Sequence, residues 1–161
     1  MSEPRWLTAE EQSAWQRLAA MLELLPAALD AQLVRSAGLT HFEYFTLASL
    51  SESPGRYLHT SELATLTHAS LPRLSRVLTG LERKKLVQRR TCPEDRRSKD
   101  VILTEEGWAT VVRTAPGHVE NVRELVFDQL EPGQVGQLAA IASRVLAHLD
   151  PEGKVFATTM R

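Results

Sequence analysis

Between Arg73 and Lys99 the chain gathers the side chains that bind polyanions. Arg73, Arg76, Arg83, Lys84, Lys85, Arg89, Arg90, Arg96, Arg97 and Lys99 stand against only Glu82, Glu94 and Asp95. The segment carries +7 in a 161-residue chain whose total is −1, so the remainder sums to −8. Arg can bridge the two acceptors of guanine in a major groove, or enter the negative potential of a minor groove. Hydroxyls at Ser70 and Ser75 serve bases or phosphates. Helix starts near Thr60–Ser61 and Ser70 offer unbonded backbone N–H groups to phosphate oxygens. An overall pI near 6.5 argues weakly against a nucleic-acid partner, but the local concentration of charge outweighs the sum.

Other chemistries find little support. There is no Gly-rich phosphate loop, no nucleophile elbow and no HExxH pattern. His41, His59, His68, His118 and His148 are scattered and lack metal-ligand spacing with Cys92, so neither a cofactor nor a metal is expected. Cys92 is the only cysteine, which rules out an intrachain disulfide and fits a reducing cytoplasm. Its neighbours Arg89, Arg90, Arg96 and Arg97 would favour a thiolate, so a redox-sensing role stands as an alternative beside that of an incidental thiol. The N-terminus shows no basic-then-apolar signal pattern, and no run of about 18 apolar residues occurs. A soluble, cytoplasmic protein is expected. At 43% hydrophobic residues the chain can bury a core without staples.

The elements that must position these groups follow from periodicity. Thr8 with Glu11 forms a capping-box pattern, and Trp15, Leu18, Leu22, Leu25, Leu29 and Leu33 recur in helical steps. Pro26 predicts a bend or break near Glu23 to Leu25. Gly38 closes that helix, and Thr40 with Glu43 opens a second one holding Phe42, Phe45, Leu47 and Leu50. Ser51 to Gly55 reads as a loop and Tyr57–Leu58 as a short strand. Thr60 is the expected N-cap of a brief helix with Leu63, Ala64 and Leu66.

After a turn at His68–Ala69, Ser70 caps a helix with Leu71, Leu74, Val77, Leu78 and Leu81 inward. Its other face carries Arg73, Ser75, Arg76 and Thr79, with Pro72 tolerated in the first turn. Val87 to Thr91 and Lys99 to Leu103 then read as paired strands around a polar tip, Pro93 to Ser98. Thr104 caps a helical run that Pro116–Gly117 interrupts, so it is either kinked or two helices in series, and Glu131–Pro132 starts a last helix. The pattern is mainly α with a small β-wing (α+β): helix, turn, helix, strand, basic tip, strand. Two helices and a tight turn, the second with Arg and hydroxyls outward, fit a helix-turn-helix whose second helix enters the major groove.

These residues resemble the MarR family of bacterial transcription regulators. The likeness runs through Leu39-Thr40, Leu63-Ala64 and Leu74-x-x-Val77-x-x-x-Leu81-Glu82-x-x-x-Leu86-Val87, then Asp95-Arg96-Arg97, Leu103-Thr104 and Glu105-Glu106-Gly107. Lys85 stands where the family often has Gly, and Pro72 and Arg73 replace small or hydroxyl residues. The resemblance implies a winged helix-turn-helix dimer. Residues 1–38 would be a dimerisation helix, 39–104 the DNA-binding domain and 105–161 further dimerisation helices.

It also implies a transcriptional regulator, by family default a repressor, that binds double-stranded DNA at a pseudo-palindromic site. The DNA-binding set is Thr60, Ser61, Ser70, Pro72, Arg73, Ser75, Arg76, Asp95, Arg96 and Arg97, with Asp95 steadying the wing. The family's small aromatic or phenolic effectors point to Trp15, His41, Tyr44, Phe45 and Trp108 as pocket candidates, all of which also suit a core or interface. Apart from the resemblance, the long apolar stripes exceed what a small winged core can cover, which itself argues for dimerisation. The competing class is a helical protein–protein interaction module whose basic hairpin binds an acidic partner.

Overall fold

The computed structural model describes residues 4–91 and 99–155. It contains helices α1 (Ala9–Ala37), α2 (His41–Glu52), α3 (Thr60–Leu66), α4 (Leu71–Arg83), α5 (Glu105–Leu125) and α6 (Gln134–Leu149). The strands are β1 (Tyr57–His59), β2 (Val87–Thr91) and β3 (Lys99–Leu103), in antiparallel order β1-β3-β2. Short 3-10 turns at Pro54–Arg56 and Phe127–Gln129 complete the described elements.

Local hydrogen bonds explain most boundaries. At Thr8 and Thr40 the hydroxyl accepts from the N–H three residues on, while Glu11 and Glu43 return to the cap N–H at 2.8 Å. Gly38, at φ 64°, closes α1 in the left-handed conformation. Ser70 caps α4, accepting from Arg73 N–H, with Pro72 in the first turn. α4 ends in a Schellman motif: Lys85 N–H reaches Glu82 C=O at 2.9 Å and Leu86 N–H reaches Leu81 C=O at 3.0 Å. That motif puts Lys85 at φ 61°. The same pattern ends α3, with His68 at φ 49° forming the turn between α3 and α4.

The core joins all parts of the winged lobe. Leu33, Leu39, Leu47, Leu50, Leu63, Leu74, Leu78, Leu81 and Val101 are almost completely buried together. From α1 only Leu29 and Leu33 are buried, and from α6 no residue is. Their remaining stripes, including Trp15, Leu18, Leu22, Ile141, Val145 and Leu149, face outward. Among the described residues no helix is long and apolar enough to cross a membrane.

Several expectations need correction. α1 is one helix of 29 residues running through Pro26, with no break. The bond lost is to Leu22, on an exposed stretch where water can satisfy the freed carbonyl. α5 likewise runs through Pro116 as a single helix. The N-cap of α3 is His59, not Thr60: Glu62 accepts from His59 N–H at 3.1 Å, which places Thr60 inside the helix. Leu71 is 56% exposed rather than core, because it opens α4 one turn before the buried stripe begins at Leu74. α2 extends to Glu52, taking up part of the expected loop. α6 starts at Gln134 after a left-handed Gly133, not at Glu131–Pro132. There the Gln134 side chain accepts from Glu131 N–H, so Glu131 sits outside the helix as part of its lead-in.

Candidate nucleic-acid interface

The face proposed for DNA is built from the starts of α3 and α4. Ser70, Pro72, Arg73, Ser75 and Arg76 are all exposed. Helical spacing explains this arrangement: with Leu74, Leu78 and Leu81 fixed inward, the residues between them must point out. Arg76 forms no ion pair among the described residues, and neither do Arg83 and Lys85. Arg73 is exposed, yet its guanidinium carbon lies 4.3 Å from the centre of the Phe42 ring on α2.

The two α3 residues differ in availability. Ser61 is exposed. Thr60 is tied to the wing, its hydroxyl donating to Lys99 C=O at 2.8 Å. Asp95, Arg96, Arg97 and Cys92 lie outside the described residues, so the wing tip and the thiol receive no structural account.

Three of the ten counted cations, Lys84, Arg89 and Arg90, are paired with carboxylates of the fold. Lys84 reaches Glu43 Oε1 at 2.8 Å and Gly38 C=O at 2.9 Å, clamping the end of α4 to the start of α2. Glu82 accepts from the Arg89 backbone N–H at 3.0 Å and from Arg89 Nε at 2.9 Å. Arg89 also donates to Thr79 Oγ1 at 3.1 Å. Hydrogen bonding from Arg89 holds the Glu82 carboxyl below its usual range. α4 and β2 are therefore bonded directly to each other.

A second set runs across the sheet. His59, Asp100 and Arg90 are register partners on β1, β3 and β2. Asp100 is buried, and it binds His59 Nδ1 at 2.8 Å and Arg90 Nε at 3.3 Å. A buried carboxylate needs such partners. Sequence reading missed this row, although the register of two equal strands, Val87 to Thr91 and Lys99 to Leu103, already sets Arg90 opposite Asp100.

The effector candidates do not converge on one pocket. His41 and Tyr44 meet at His118 of α5, with ring centroids 6.0 and 4.8 Å apart respectively. His41 also donates its backbone N–H to Asp30 of α1 at 2.9 Å. Burial lowers the pKa of both histidines, with His41 adding to the effect on His118 and Asp30 opposing it at His41. Burial, helped by Glu52, raises that of Tyr44. Among the described residues His118 Nδ1, Gln32 Oε1 and Asn121 Nδ2 are buried without hydrogen-bond partners. Trp108 lies elsewhere, against the core and under Arg56 at 4.0 Å, and Trp15 is 55% exposed on α1.

Phe45 instead lines a groove of about 1090 Å³ between the α3–α4 turn and the end of α6, with Leu66, Ser70, Leu71, Leu146 and Leu149. Among the described residues no group of three His, Cys, Asp or Glu side chains is placed to hold a metal ion.

Comparison with known proteins agrees with this geometry. The model of the MarR family matches residues 39–99, which span α2 to the start of β3. The crystal structure of Sco3205, a MarR family transcriptional regulator from Streptomyces coelicolor solved in complex with DNA, is 45% identical. That match covers 94% of each chain with a TM-score of 0.88. AbsC, a MarR family regulator of the same organism, is 39% identical over 91% of this chain and 98% of its own, with a TM-score of 0.84. The Escherichia coli HTH-type transcriptional regulator PapX is 28% identical over 111 residues, 69% of this chain and 67% of its own. With the exposed α4 face, the sheet beside it and these relatives in place, the chain belongs to the MarR family and is a transcriptional regulator with a DNA-binding winged-helix fold, not an enzyme.

Proposed function

We propose that the protein acts as a homodimeric repressor on a pseudo-palindromic operator, reading bases through the first turns of α4. The observation that carries this reading is the outward row Arg73, Ser75 and Arg76, above a buried Leu74–Leu78–Leu81 stripe that fixes its direction. Arg76 supplies an uncommitted guanidinium, and Ser70 presents the helix start to phosphate. Arg96 and Arg97 of the wing complete the set at the neighbouring minor groove. Dimerisation is supported by α6, which has no fully buried residue among the described residues while exposing Val135, Leu138, Ile141, Val145 and Leu149. Two copies burying these faces would hold two recognition helices at a spacing matched to half-sites.

A small aromatic effector fits the groove beside Phe45. The groove touches Ser70 and Leu71 at the start of α4 and Leu146 and Leu149 of α6, so filling it displaces one against the other. Release of DNA requires only tighter binding to the spacing that does not fit the operator.

The test is a selection of genomic fragments with purified protein, followed by affinity measurements across salt with and without salicylate as a probe. We expect log affinity to fall linearly with log salt, a preference for the selected site over random duplex, and a dimer in sedimentation. R76A should weaken the selected site more than random duplex. A protein that binds no duplex at low salt would return the basic hairpin to an acidic protein partner.

A further inference from the structure

Arg73 has a partner that α4 by itself does not supply. Phe42, on which its guanidinium rests, belongs to the first turn of α2 and packs partly buried against the core. The residues on either side are also engaged. His41 bonds Asp30 of α1 and faces His118 of α5, while Glu43 binds Lys84 at the far end of α4. The first turn of α2 thus touches α1, α5 and both ends of the recognition helix. No carboxylate pairs with Arg73 among the described residues, so its N–H donors stay available.

We propose that Phe42 is a positioning residue for DNA recognition: it holds Arg73 at the start of the recognition helix, so that operator preference depends on α2 as well as α4. The inference rests on the reading that α4 contacts bases. A free arginine gives up its rotamer freedom when it docks on a base edge, whereas one already stacked has lost part of it before DNA arrives. The ring attracts the guanidinium through its face and makes no demand on the N–H groups that would bridge guanine O6 and N7. Phosphate contacts need charge at roughly the right place and little pre-setting. Phe42 therefore acts on discrimination rather than on general affinity.

The experiment compares full-length wild type, F42L, F42W, R73K and the F42L/R73K double variant on the selected operator and on random duplex at one salt concentration. F42L should lose roughly two- to fivefold of the operator-to-random ratio, from the usual strength of an exposed cation–π contact. F42W should keep the ratio. R73K, which also gives up the two-donor contact to guanine, should lose more, about fivefold or beyond, the double variant should lose no more than R73K alone, and random-duplex affinity should stay unchanged in all four. In the free protein, the Arg73 Nε–H resonance should show a ring-current shift that F42L removes. An unchanged ratio in F42L, an equal loss on both DNAs with a lowered melting temperature, or an unshifted Arg73 resonance would each overturn the proposal. A wild type with no operator preference would overturn the base-reading role of α4, and this inference with it. A wild-type preference that F42L keeps in full sinks this inference alone.

Discussion

Gly107 lies hard against the main chain of Leu86: a methyl group on its α-carbon would stand 2.1 Å from the Leu86 carbonyl oxygen and 2.7 Å from Leu103 Cδ1. The contact sits between the link from α4 to β2 and the start of α5. Thr104 tightens the same point, its hydroxyl lying 2.8 Å from Lys85 C=O while it accepts from Gly107 N–H at 3.0 Å.

A backbone oxygen cannot swing aside as a side chain can. G107A should therefore destabilise the fold by about 2–3 kcal/mol, the usual cost of overpacking a tight site. Chemical denaturation checks this, and a variant within 0.5 kcal/mol of wild type, a margin typical of unconstrained surface changes, would contradict the closeness of the contact.

Lys85 offers the opposite change. It is exposed, carries no ion pair among the described residues, and sits at φ 61°. A left-handed backbone costs an L-residue roughly 1–2 kcal/mol, partly offset because Gly gains more freedom in the unfolded chain. K85G should raise stability by about 0.5–1 kcal/mol on that balance. Thermal melting tests it. Random-duplex affinity should fall slightly with the lost charge.

Stability should also depend on pH through His41 and His118, whose charged forms burial disfavours. The unfolded chain takes up these protons around pH 6.5. Below that point it binds more protons than the folded chain, so stability falls as pH falls. Glu82, held below the usual carboxylate range, adds its own loss only at lower pH. Asp30 bonds the backbone of His41, and Tyr44 packs against His118. Melting temperature should decline from about pH 7.5 to about pH 5.5, around the ordinary histidine pKa, and H118Q should flatten that slope. A flat wild-type profile in this window would refute the assignment.

What could be read from sequence was local. The capping boxes at Thr8 and Thr40 close within three residues, and the bounds of β2 and β3 follow from a change of period, so both were legible. Of the alternatives at Pro26 and Pro116 a break does not occur, because a proline costs a helix only one bond where the opposing carbonyl can reach water. Thr60 has the residue type of a cap, but Glu62 captures the N–H of His59 one position earlier. The charge count overstated the field available to DNA. Glu43–Lys84 and His59–Asp100 join residues 41 apart in sequence, and no spacing rule reaches across that distance. For the same reason Arg73 could be named as a base reader while its seat on Phe42 could not.

The bonds between Glu82 and Arg89, with Thr79 beside them, bear on how such a regulator can be switched. Recognition helix and wing stem are fastened by side chain and backbone together, and Thr60 ties the other edge of the sheet to α3. On the proposed reading, tilting α4 in a groove would carry β2 and β3 with it, since the bonds that join them would have to break for either to move alone. A signal that turns this lobe as a whole would then loosen what α4 holds and what the sheet holds together.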